Sequence, residues 1–125
     1  MILDTNALSA FVDGDRAIGA ILARQPRAAI PVIVLGEYRY GILGSRKRAT
    51  YEAWLDTHLR DFEVLSVTAD TAVAYALIRT ALKQAGHPIP ANDVWIAALA
   101  TEHRLPLLSL DAHFDTITGI QRVAW

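Results

Sequence analysis

Four acidic residues, Asp4, Glu37, Asp93 and Asp111, each stand at or near the end of an apolar segment. Asp4 closes Met1-Ile2-Leu3. Asp93 opens Val94-Trp95-Ile96-Ala97-Ala98. Asp111 follows Leu107-Leu108-Ser109-Leu110. If folding gathers the four, their mutual repulsion calls for a divalent cation. Hard cations prefer oxygen ligands, which points to Mg²⁺ or Mn²⁺. Such an ion would lower the pKa of a water, orient a phosphodiester and stabilise charge on the leaving oxygen. No protein nucleophile is required.

Taken singly, each acid has a plainer reading. Asp4 precedes Thr5 and Asn6 and could simply cap the next helix. Glu37 is the sole acid between Asp15 and Glu52 and sits in the apolar run Val32 to Tyr38. A carboxylate there is costly to bury unless it is paired or coordinates a metal. Its alternative is to face solvent, or to pair with Arg39 or Arg60. Gly41, four residues on, leaves room on the same helical face. Asn92 and Asp93 could do no more than cap a helix, and Asp111 could be an ordinary turn acid. The conjunction of the four carries the weight. Among the histidines, His58, His87, His103 and His113 form no ligand motif. His113 lies nearest the acids and is expected in a packing or turn role. Trp54, Trp95 and Trp125 are expected in the core or at an interface.

The elements that must position these residues alternate short apolar strands with longer amphipathic stretches, the pattern of a layered α/β fold with a parallel sheet. Strands are expected at 1–4, 28–30, 62–67, 106–109 and 121–125. Helices are expected at 5–12, 15–25, 32–43, 46–60, from Thr68 to Gly86, and at 92–103. His87-Pro88-Ile89-Pro90 reads as a rigid extended connection. Asp4 and Asp111 fall at the carboxyl ends of strands, where open α/β sheets build their sites.

The length of 125 residues fits a single domain over 1–125 with a core that needs no disulfide. There are no cysteines, which removes thiolate metal sites and thiol nucleophiles. Net charge of −1 and a pI near 6.4 argue against a nonspecific grip on duplex DNA. Arg46-Lys47-Arg48 is the one tight basic run and reads as a solvated helix start. The apolar fraction of 53% is high, yet no run reaches the roughly 18 residues that span a bilayer. Either an Ala-rich helical core or burial against a partner or second copy accounts for it. With no leader pattern, the cytoplasm is the expected location.

Together these residues resemble the PIN domain, and more narrowly the VapC ribonuclease toxins of toxin–antitoxin pairs. The matching pieces are Leu3-Asp4-Thr5-Asn6, Glu37-Tyr38-Arg39-Tyr40-Gly41, Asn92 to Ala98, and Ser109 to Phe114. The resemblance implies a three-layer α/β/α sandwich with a mostly parallel central sheet. It implies Mg²⁺- or Mn²⁺-dependent endoribonuclease activity on structured or translated RNA, homodimerisation, and a small antitoxin partner. Asp4, Glu37, Asp93 and Asp111 fall on the family's acidic positions. Thr5, Asn6 and Ser109 fall on its supporting polar positions, with Asn92 beside them. Ser109 stands where threonine is common and keeps the hydroxyl. A non-catalytic RNA- or protein-binding module on the same fold is the alternative, and retention of all four acids argues against it. A haloacid-dehalogenase-like phosphatase would need Asp-x-Asp where this chain has Asp4-Thr5-Asn6.

Overall fold

The computed structural model describes residues 1–125. Five strands form one sheet: β1 (Ile2–Leu3), β2 (Ala29–Pro31), β3 (Glu63–Leu65), β4 (Leu107–Leu108) and β5 (Arg122–Val123). Their order is β3-β2-β1-β4-β5, and all pairs are parallel. Six helices connect them: α1 (Thr5–Val12), α2 (Arg16–Leu22), α3 (Val32–Leu43), α4 (Arg48–His58), α5 (Ala69–Gln84) and α6 (Ala91–His103). The arrangement is the expected PIN-like α/β/α architecture.

The sheet grows outward from β1. The chain adds β2 and β3 on one side, crosses back through α5 and α6, and adds β4 and β5 on the other. The direction therefore reverses between β1 and β4. A crevice opens at the carboxyl ends of strands at such a reversal. Asp4 and Ser109 are the residues that follow these two strands.

Strand parity divides the core. Ile2 and Leu107 pack into a large cluster with Val34, Leu55, Ile96 and Phe114. Their neighbours Met1, Leu3 and Leu108 turn to a smaller cluster with Ala7 and Ile18. Successive side chains of a strand face opposite sides, so both faces of this two-residue β1 are buried. Helix α6 is buried at Val94 and from Ile96 to Ala100, as suits a helix enclosed by neighbours.

Local chemistry sets the boundaries. Pro31 ends β2 and caps α3, using a residue with no N–H to offer the ladder. Thr68 and Thr71 form a reciprocal cap at the start of α5. Gly86, with φ of +72°, closes that helix while His87 N–H donates to the Leu82 carbonyl at 3.0 Å. Several elements are shorter than the sequence predicts. The edge strand β3 stops at Leu65 because its partner β2 ends at Pro31, where α3 begins. Strand β5 keeps only the two residues that β4 can pair. Helix α2 ends at Leu22, ahead of the restriction that Pro26 places on Gln25. Residues 59–61 tighten into a 3₁₀ turn after α4.

Trp54 packs edge-on to Phe11 at 5.9 Å, and Trp95 stacks on Tyr75 at 3.9 Å, joining α6 to α5. No helix is long and apolar enough to cross a membrane.

Candidate active site

Asp4 is only 5% exposed and is held from three directions. The Thr5 backbone N–H donates to its Oδ1 at 2.7 Å. The Ser109 hydroxyl donates to Oδ2 at 2.7 Å, and the Asn6 amide donates to the same oxygen at 3.1 Å. Ser109 Oγ in turn accepts the Asp111 N–H at 3.0 Å, and Asn6 Oδ1 accepts the Leu110 N–H at 3.3 Å. One serine and one asparagine thus tie the end of β1 to the end of β4. Asp4 caps α1 and belongs to the acidic group at once.

Asp111 caps a 3₁₀ turn, Ala112–Thr116, by accepting the His113 N–H at 2.9 Å. That turn brings the His113 ring back over the acids. Its Nδ1 lies 3.2 Å from Asp111 Oδ1 and 4.0 Å from Asp93 Oδ2. Donor atoms of Asp93, Asp111 and His113 all fall within 4.8 Å of one another. Asp93 arrives from the first turn of α6, whose cap is Pro90, and no side chain caps this helix. Asn92, at the second helical position, lies too deep to cap and points to solvent.

Glu37 reaches the group from α3. Its Oε2 accepts the Thr5 hydroxyl at 2.9 Å, rather than an arginine. Its Oε1 is buried and has no hydrogen-bond partner. An orphaned buried carboxylate oxygen is costly, and a cation is the partner that suits it.

A family described as the PIN domain matches residues 1–120. This chain belongs to the PIN-domain family. It is 33% identical to the ribonuclease VapC5 of Mycobacterium tuberculosis, over 98% of this chain and 90% of that protein. It is 32% identical to the ribonuclease VapC2 of Rickettsia felis, over 86% and 84% respectively. Its structure resembles that of the Rickettsia felis VapBC2 complex bound to a promoter DNA fragment. There the TM-score is 0.89 with 28% identity, covering 99% of this chain and 97% of the other.

The electrostatics of this PIN domain are those of crowded, half-dried acids. Burial pushes the Asp93 carboxyl up to about 6, helped by Asp4, Asp111 and Glu37 and opposed by His113. Burial also raises Asp4, against the Ser109 and Thr5 hydrogen bonds, with Glu37 and Asp111 adding to the rise. Desolvation and like charge both disfavour the ionised form. Crowded carboxylate oxygens, two of them on groups pushed up by burial and one oxygen orphaned, fit a hard divalent cation. His113 is the residue that sequence reasoning undervalued. The signal was its position two residues after Asp111, which a tight turn converts into contact.

Proposed function

We propose that this PIN-domain chain is a metal-dependent endoribonuclease and the toxin of a toxin–antitoxin pair. The unpartnered Glu37 Oε1 beside three aspartates is the observation that carries the metal reading. Ribonuclease-named relatives at 33% and 32% identity support RNA as the substrate. The likeness to a VapBC2 complex supports an antitoxin partner.

Asp4, Glu37, Asp93 and Asp111 would hold Mg²⁺ or Mn²⁺. The bound ion would acidify a water and stabilise charge on the phosphodiester as it is cut. The chain's own contribution is to keep the carboxylates placed. Ser109 and Asn6 fix Asp4, Thr5 fixes Glu37, and the 3₁₀ turn fixes Asp111. His113, with Nδ1 3.2 Å from Asp111 Oδ1, lies against the cluster and opposes the rise at Asp93. Exposed Val73 and Leu77, four residues apart on α5, together with Tyr40 and Leu43 on α3, support burial against a second copy or the antitoxin. Action on RNA would place it in the cytoplasm.

The test is cleavage of total RNA by purified protein with Mn²⁺ or Mg²⁺, with excess EDTA, and with Asp93→Asn. Cleavage that needs the cation and the aspartate supports the reading. Equal cleavage in EDTA would remove the metal from it.

A further inference from the structure

Beside the acids lies a second feature that their chemistry does not use. A cavity of about 300 Å³ opens between α1, α3 and the start of α4. Thr5 and Glu37 line it, so it adjoins the acidic cluster directly. Ser9 and Ser45 place hydroxyls on its wall, Tyr51 contributes an aromatic ring, and Gly41 lies on the α3 side. The volume sits at the lower end of the range of small-ligand pockets, about 300–1,000 Å³.

We propose that this cavity is a subsite for one nucleoside of single-stranded RNA next to the scissile phosphate. The inference rests on the ribonuclease reading and adds the residues that would select the neighbouring nucleotide. Three observations converge on it. First, the Tyr51 ring is held in place: its hydroxyl donates to Asp13 Oδ1 at 2.8 Å, and it meets Tyr38 edge-on at 6.3 Å. A fixed aromatic ring is what an unstacked base packs against. Second, the chain leaves the cavity at Ser45 and runs straight into Arg46-Lys47-Arg48. Arg48 is engaged by Glu52 at 2.9 Å, while Arg46 and Lys47 are exposed. They stand ready for the phosphates on either side of a bound nucleoside. Third, a Cβ added at Gly41 meets nothing within 4 Å, so the packing of α3 does not require glycine there. A longer side chain at 41 would project into the cavity instead.

An occupant with a flat ring, hydrogen-bonding edges and flanking anions satisfies all three.

The experiment compares Gly41→Leu with Gly36→Leu. Gly36 is on the same helix, is equally open and does not line the cavity. Both variants are placed in an Asp93→Asn background, and binding of a fluorescent single-stranded RNA hexamer of random sequence is read by anisotropy. Gly41→Leu is expected to weaken binding about tenfold, the scale of losing one stacked base, while Gly36→Leu matches its parent. In the otherwise native protein, Gly41→Leu is expected to shift the cleavage-site preference on a long RNA and to leave thermal stabilisation by Mn²⁺ intact. Equal RNA binding by the two leucine variants overturns the proposal. So does unchanged RNA binding with lost binding of the antitoxin, which assigns the cavity to the protein partner. If the native protein cuts no RNA, the nuclease reading fails separately, and the anisotropy comparison still decides the cavity.

Discussion

Asp93→Asn is predicted to strengthen the metal-free fold while destroying the site. The Asp93 carboxyl is raised from 3.8 to about 6, chiefly by burial and then by Asp4, Asp111 and Glu37. At 1.36 kcal/mol per pKa unit, the ionised group costs the fold at most about 3 kcal/mol at neutral pH. The side chain keeps 17% of its surface exposed, and His113 offsets part of the repulsion. A realistic gain on neutralisation is therefore about 1–2 kcal/mol, or roughly 3–8 °C in Tm for a domain of this size. The assay is thermal unfolding at pH 7.5 in EDTA and then in a Mn²⁺ series. In EDTA the variant should melt above the native protein. In Mn²⁺ the order should reverse, because the native protein gains RT ln(1 + [Mn²⁺]/Kd) and the variant gains little. A variant that melts lower in EDTA, or that Mn²⁺ stabilises as fully as the native protein, would refute the reasoning.

Other outcomes follow from the same contacts. Metal-free native protein should lose stability as pH rises from about 4 to about 6 and then level off. The folded state there binds protons at Asp93 more tightly than the unfolded chain does, and raised Asp4 acts in the same direction. Urea titrations across that window check this, and an equal slope in Asp93→Asn would contradict it. Ser109→Ala removes the donor to buried Asp4 and the acceptor of the Asp111 N–H. It should cost about 1–3 kcal/mol in urea unfolding and weaken Mn²⁺ binding, with Ser109→Thr restoring both. Arg104 adopts a left-handed conformation, with φ of 54°, where it ends α6. Arg104→Gly should raise stability by up to about 1 kcal/mol, since glycine takes that conformation without steric cost. A fall in Tm would count against that account.

Much of the fold could be read from the chain because its signals are local. Periodicity, the Thr68 cap, the Gly86 stop and the Pro31 boundary each act within a turn or two of the residue concerned. Strand ends were less legible, since they depend on how far a partner extends. Nothing in Ser66-Val67 says that β2 has already stopped. The acids could be picked out one by one from the chain; the structure sets Asp93 and Asp111 together with His113, and the charges of Asp4 and Glu37 reach Asp93. Their individual geometry was not legible. The Thr5–Glu37 bond joins positions 32 residues apart, and its angle depends on how α1 lies across α3. His113 was hidden for the opposite reason: a five-residue 3₁₀ turn left no periodic trace. Asn92 looked useful from its neighbours and is turned outward by helix phase.

The hydroxyl of Ser109 meets Asp4, 105 positions away along the chain. Contacts of such long sequence separation form slowly, because a large loop must close before they are rewarded. During synthesis the beginning of the chain leaves the ribosome long before β4 exists to receive it. The hold on Asp4, and with it the finished acidic group, is thus among the last features the chain can complete, since it waits on β4 docking beside β1.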